Sequence, residues 1–94
     1  MFGARLKALR LSLGLNQVEF GKELNVTKQS VSNWENGNIQ PSIDMLVKIA
    51  NTFSVSTDYL LGLSSTRTLD VSGLTDKQIS YIQTLVNDIR KDGK

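Results

Sequence analysis

Residues 17–35 read QVEFGKELNVTKQSVSNWE, from Gln17 to Glu35, and their order of caps, apolar positions and turns decides the fold. Asn16, just ahead of this stretch, is a good N-cap, and Glu19 three residues on is its reciprocal capping-box partner. Phe20 and Leu24 share one face of a short helix. Asn25 stands where the chain must turn, and Asn tolerates the left-handed region better than most non-glycine residues. Thr27 caps the next helix, expected from Lys28 to about Glu35 and closed by Asn36-Gly37. At about 100° per residue from Lys28, Ser32 falls near 40°, Gln29 near 100° and Asn33 near 140°, whereas Trp34 falls near 240° and Val31 near 300°. Val31 and Trp34 therefore point inward, and Lys28, Gln29, Ser32 and Asn33 point out.

Outward from this pair the helical period continues. Leu6, Leu9 and Leu13 recur at three- and four-residue intervals on one face of a first helix, which Gly14 ends. Asn38-Ile39-Gln40-Pro41 is a loop, and Ser42 caps a fourth helix with Ile43, Leu46, Val47, Ala50 and Phe53 as its apolar stripe. Ser56 caps a short fifth helix holding Tyr59, Leu60 and Leu61, with Gly62 as its stop. Residues 63–73 turn small and polar around Ser64-Ser65-Thr66-Arg67-Thr68, as in a linker, with Leu69 and Val71 free to dock on a neighbouring surface. Thr75 opens a sixth helix with Gln78 as capping-box partner. Ile79, Ile82, Val86 and Ile89 follow along it in a 3-4-3 spacing that Leu85 broadens. The expected fold is all-α: a compact five-helix domain over residues 1–62, a linker over 63–73 and a C-terminal helix within 74–94.

Composition narrows the function. The 94 residues contain no Cys and no His, so there is no disulfide framework, no thiolate metal site and no imidazole base. The Ser and Lys residues are scattered without a nucleophile–base arrangement, and the chain is read as a non-enzyme without metal or cofactor. A net charge of +2 excludes nucleic-acid binding by bulk charge. DNA binding would need a few well-placed cations, multiplied by symmetry. The apolar runs are too short to span a bilayer, the N-terminus reads into an amphipathic helix, and the cytoplasm is the expected compartment.

The outward face of the third helix suits base reading. Gln and Asn offer a donor and an acceptor together, matching adenine in the major groove, and Lys donates to guanine acceptors. A plain solvated helix face is the alternative, but such faces are usually built from Glu and Lys, better helix formers than the Ser and Asn found here.

The stretch from Gln17 to Glu35 resembles the helix-turn-helix of the lambdoid phage repressor and Cro family of bacterial and phage regulators. Gly21 lets two helices approach closely, and Phe20, Leu24, Val26, Val31 and Trp34 fall where that family packs its core. The likeness extends through Asn36-Gly37, Pro41 and the helix ending Asp58-Tyr59-Leu60-Leu61-Gly62, covering roughly residues 2 to 62. It implies a sequence-specific transcriptional regulator, a repressor on double-stranded DNA. It also implies base contacts from Lys28, Gln29, Ser32 and Asn33, and phosphate contacts from Asn16, Gln17, Thr27, Asn36 and Asn38. Arg10 and Glu35 match a pair that links the first helix to the end of the recognition helix in such repressors. Two positions depart from the pattern: Asn25 replaces the usual turn glycine, and Asn38-Ile39-Gln40 replaces an often basic loop. Fewer phosphate cations per monomer imply weak monomeric binding and a shallower salt dependence.

The sixth helix can fold back on its own domain or pair with the same helix of a second subunit through Ile79, Ile82, Leu85, Val86 and Ile89. Pairing gives a homodimer with two recognition helices about 34–36 Å apart, suited to a pseudo-palindromic operator. An antitoxin-like module, whose last helix caps a partner protein, is the second expectation.

Overall fold

Helix caps divide the chain where the sequence places them. The computed structural model describes residues 2–64 and 68–92, so Ser65, Thr66 and Arg67 of the expected linker lie outside the described residues. Among the described residues six helices follow in order: α1 (Phe2–Ser12), α2 (Gln17–Leu24), α3 (Lys28–Asn36), α4 (Ile43–Phe53), α5 (Thr57–Leu61) and α6 (Asp76–Asp92). No strand forms among the described residues. Asn16, Thr27, Ser42 and Ser56 each adopt extended backbone, and each side-chain oxygen accepts a backbone N–H from the first turn of the helix that follows. Each such bond satisfies a donor the helix itself leaves orphaned. Thr75 and Gln78 form the expected reciprocal box, with bonds of 3.0 and 3.1 Å. Asn25 is left-handed at φ 59° and ψ 43°, and its N–H closes α2 on the carbonyls of Gly21 and Lys22.

The first five helices share one core. α1 lies against α3 and α5, α2 against α3 and α4, and α4 against α5. Leu6, Leu9, Phe20, Leu24, Val31, Ile49 and Leu60 are fully buried between them. Each contributes about 1.5–3 kcal/mol of transfer free energy. Phe20 and Phe53 stack with centroids 4.6 Å apart and planes 6° from parallel, fastening α2 to the end of α4.

Two glycines set how closely α3 is gripped. A Cβ on Gly21 would lie 2.7 Å from the Val26 carbonyl oxygen, so only glycine lets α2 meet the turn into α3. A Cβ on Gly3 would lie 2.5 Å from the Glu35 carbonyl oxygen and 2.8 Å from that of Trp34. The start of α1 thus rests directly on the backbone that ends α3.

Two expectations about the core need correcting. Leu13 lies beyond α1 and is exposed, and Phe2 joins Leu6 and Leu9 instead, because the helix starts earlier and stops sooner than the leucine spacing suggests. In α4, Leu46, Ala50 and Phe53 face the core, but Ile43 is 79% exposed and Val47 is also open, while Ile49 is fully buried. Ile43 opens α4 and Val47 lies one turn on, and both are left to solvent among the described residues.

α6 stands apart. It buries no residue and makes no extensive packing with another helix. Ahead of it, the Asp70 N–H donates to the Ser54 carbonyl at 3.1 Å and ties the segment to the end of α4. Asp70 also accepts the Ser72 N–H at 2.9 Å, and the bonds from Ser72 hold its carboxyl below the ordinary range. Leu69, expected to dock, is 58% exposed; it borders one cleft with Phe53 and Val55, and with the half-buried Val71 it borders a groove along α6.

Candidate nucleic-acid interface

α3 presents its faces as its periodicity requires. Val31 and Trp34 are buried, Lys28 and Gln29 are exposed, and Ser32 and Asn33 are half-buried at the rim. The polar side chains are joined along the helix. Gln29 Nε2 donates to Asn33 Oδ1 at 3.1 Å, and Asn36 Nδ2 donates to Ser32 Oγ at 3.3 Å. Residues four apart are neighbours on a helix surface, which permits both bonds.

The residues expected at phosphate carry structural duties as well. Asn16 Oδ1 accepts the Glu19 N–H at 2.8 Å, and the Asn16 N–H donates to Glu19 Oε1 at 2.9 Å. Thr27 Oγ1 accepts the Ser30 N–H and donates to Ser30 Oγ, both at 3.1 Å. Asn36 and Asn38 are exposed at and beyond the end of α3, with the Asn38 N–H held by the Asn33 carbonyl at 2.9 Å. Asn16, Gln17, Val18 and Lys28 line one cleft of about 400 Å³ together with Arg10. The first turn of α2 and the first residue of α3 therefore meet, and Lys28 borders the cleft as well as the outward face.

Glu35 joins three helices. Its Oε2 accepts Arg10 Nε at 2.7 Å, and its Oε1 accepts both Arg10 Nη2 and Gln17 Nε2 at 3.1 Å. Arg10 Nη1 donates to the Leu15 carbonyl at 3.0 Å, so the guanidinium spans α1, the turn before α2 and α3. The pair is buried, with the Arg10 and Glu35 side chains 9% and 3% exposed. Hydrogen bonding to Glu35 raises the Arg10 pKa above its ordinary value, outweighing desolvation, and the charge on Glu35 adds to the rise. Arg10 is thus a buried strut rather than a surface cation. The spacing shows Arg10 and Glu35 only through the family resemblance, and the Gln17–Glu35 bond has no sequence signal, since it bridges eighteen positions.

Other cations are also in use. Lys48 Nζ donates to the Leu24 carbonyl at 2.7 Å, capping the end of α2, and Arg5 lies 5.1 Å from the centre of the Tyr59 ring. Both favour the fold: a cation suits a helix C-terminus and an aromatic face. Lys28 is the cation placed at the outward face of α3.

The residues expected to pair subunits lie on α6. Ile79 and Ile82 are half-buried, and Leu85, Val86 and Ile89 are exposed. Ile79, Ile82 and Val86 form a groove of about 580 Å³ with Leu69, Val71 and Arg90. Among the described residues no group of acidic side chains could hold a metal ion, and no helix is long and apolar enough to cross a membrane.

Comparison with known proteins agrees with this geometry. A family model described as helix-turn-helix matches residues 6–60. The HTH-type transcriptional regulator ImmR of Bacillus subtilis is 37% identical over 78 residues, which cover 83% of this chain and 61% of ImmR. The chain spans 56–61% of the length of the first curated relatives it matches. Among solved structures, the P22 c2 repressor in complex with synthetic operator 9T superposes with a TM-score of 0.60 at 30% identity, covering 64% of this chain and 91% of that one. The SinR protein/SinI protein complex superposes with a TM-score of 0.62 at 26% identity over the full length of both chains. The match runs from α1 to α5 with the tight α2–α3 corner at its centre, and this chain belongs to the helix-turn-helix family, alongside phage-type repressors.

Proposed function

We propose that the chain is a sequence-specific transcriptional regulator, a repressor that binds a pseudo-palindromic operator in double-stranded DNA as a homodimer and acts in the cytoplasm. The observation that carries this is the outward face of α3, where Lys28, Gln29, Ser32 and Asn33 stand opposite the buried Val31 and Trp34. Its role is supported by the likeness to the P22 c2 repressor bound to an operator. In this proposal residues 1–62 read DNA, 63–73 link, and 74–94 dimerise. Phosphate contacts from Asn16, Gln17, Thr27, Asn36 and Asn38 set the register, and the α3 face sets sequence. No catalytic step is involved.

Selection from a randomised duplex pool, followed by a salt titration, tests the proposal. A palindromic motif with half-sites about one DNA turn apart is expected. Because outward cations are few, affinity should fall with salt less steeply than for a basic repressor. Recovery of no motif would sink the repressor reading. Lys28 divides the two roles: Lys28→Ala shifts base preference if the amine reads a base, and weakens all sequences alike if it serves phosphate. One observation favours a second reading, an antitoxin-like module: the open groove on α6, in a chain whose relatives include the antitoxin PezA. Co-purification of a small partner with an otherwise monomeric chain would select it.

A further inference from the structure

We infer that Gln29 and Asn33 read DNA as one coupled unit, in which Gln29 sets the base preference of Asn33. This rests on the DNA-reading role proposed for α3 and specifies the chemistry that face recognises. The bond of 3.1 Å from Gln29 Nε2 to Asn33 Oδ1 spends one N–H of Gln29 and turns the Asn33 oxygen back along the helix. Gln29 then shows its Oε1 acceptor and its second N–H. Asn33 leads with the Nδ2 donor. Asn33 is half-buried at the rim of α3, and while Gln29 holds its oxygen the Nδ2 is the end left to lead.

The displayed pattern selects bases by their major-groove edges. An acceptor beside a donor on Gln29 matches adenine, whose N6 donates and whose N7 accepts. A leading donor on Asn33 matches a keto base, guanine through O6 and N7 or thymine through O4. An unconstrained Asn would instead prefer adenine, which uses its oxygen and nitrogen together. Gln29 is thus a base reader and also the positioning residue for Asn33. The bond is exposed in the free protein, and exclusion of water on the duplex strengthens it.

The test uses full-length chain and a randomised duplex pool, selected by wild type, Gln29→Ala, Asn33→Ala and the double variant. Wild type should recover adenine at one position and a keto base at the position read by Asn33. Gln29→Ala should lose the first preference and also switch the second from keto base to adenine, a change at a position the removed side chain does not touch. On the wild-type site the double variant should bind about three- to thirtyfold better than the product of the two single losses requires, as groups in contact do. Unchanged thermal midpoints would show that these surface substitutions leave the fold intact. A Gln29→Ala chain that loses only its own position, with single losses that multiply, overturns the coupling while leaving the DNA-reading role standing. A wild-type chain that recovers no preferred sequence overturns both.

Discussion

Replacing Arg10 by Met keeps the side chain's length and apolar stem but removes its charge. Three hydrogen bonds go with it, at 2.7 and 3.1 Å to Glu35 and 3.0 Å to the Leu15 carbonyl. Glu35 would keep only the amide of Gln17, with its own side chain 3% exposed. A solvent-exposed pair contributes about 0–1 kcal/mol. Removing one partner of a buried pair costs about 3–5 kcal/mol, because the remaining charge is stranded away from water. The burial decides for the larger figure. Against a total stability of about 5–15 kcal/mol for a small domain, much of the fold's margin would be lost. At about 4–8 °C per kcal/mol, the melting midpoint should fall by at least about 12 °C. Trp34, the chain's one tryptophan, sits beside this network on α3 and reports unfolding by fluorescence in a urea titration. Arg10→Met combined with Glu35→Leu should recover most of the loss, since no charge is then stranded. A loss below about 1 kcal/mol in the single variant, or no recovery in the double, would refute the buried-strut reasoning.

Three further outcomes follow from the packing and the α6 face. Gly3→Ala and Gly21→Ala should each destabilise by about 1–3 kcal/mol in denaturant titration, because the added carbon meets backbone oxygens that cannot move aside. Asn25→Ala should cost about 1–2 kcal/mol for its left-handed backbone, whereas Asn25→Gly should change stability by less than about 1 kcal/mol. Ile82→Asp with Val86→Asp should leave the melting of residues 1–62 unchanged, because α6 packs extensively on none of the other helices. In sedimentation the same variant should run as a monomer and bind operator more weakly; persistence of a dimer would remove α6 from that role.

Much of the molecule is legible along the chain because its signals are local. The boundaries of α2 and α3 follow from Asn16, Glu19, Asn25 and Thr27, each acting within a few residues of itself. The opposition of Val31 and Trp34 to Lys28 and Gln29 follows from helix geometry alone. The stripe of α4 marks the limit of that logic. Periodicity places Ile43 and Val47 on the apolar stripe, but burial depends on which parts of a helix its neighbours cover, and both residues end up open to solvent. Ile49, off the chosen stripe, is buried because α4 is approached from more than one side.

The candidate reading face divides the same way. The sequence by itself determined which residues α3 turns outward and which turn in, since the 3.6-residue period leaves no other arrangement once the helix forms. It also determined the tight corner before α3, through Gly21 and a left-handed Asn25. The resemblance already pairs Arg10 with Glu35, but only the tertiary structure decided how α3 is held at its angle: the start of α1 seated at Gly3 on the backbone of Glu35, the burial of that ion pair, and the Gln17 amide on the same carboxylate. Those contacts join residues eighteen or more positions apart, and their strength comes from exclusion of water, which exists only after the helices have packed.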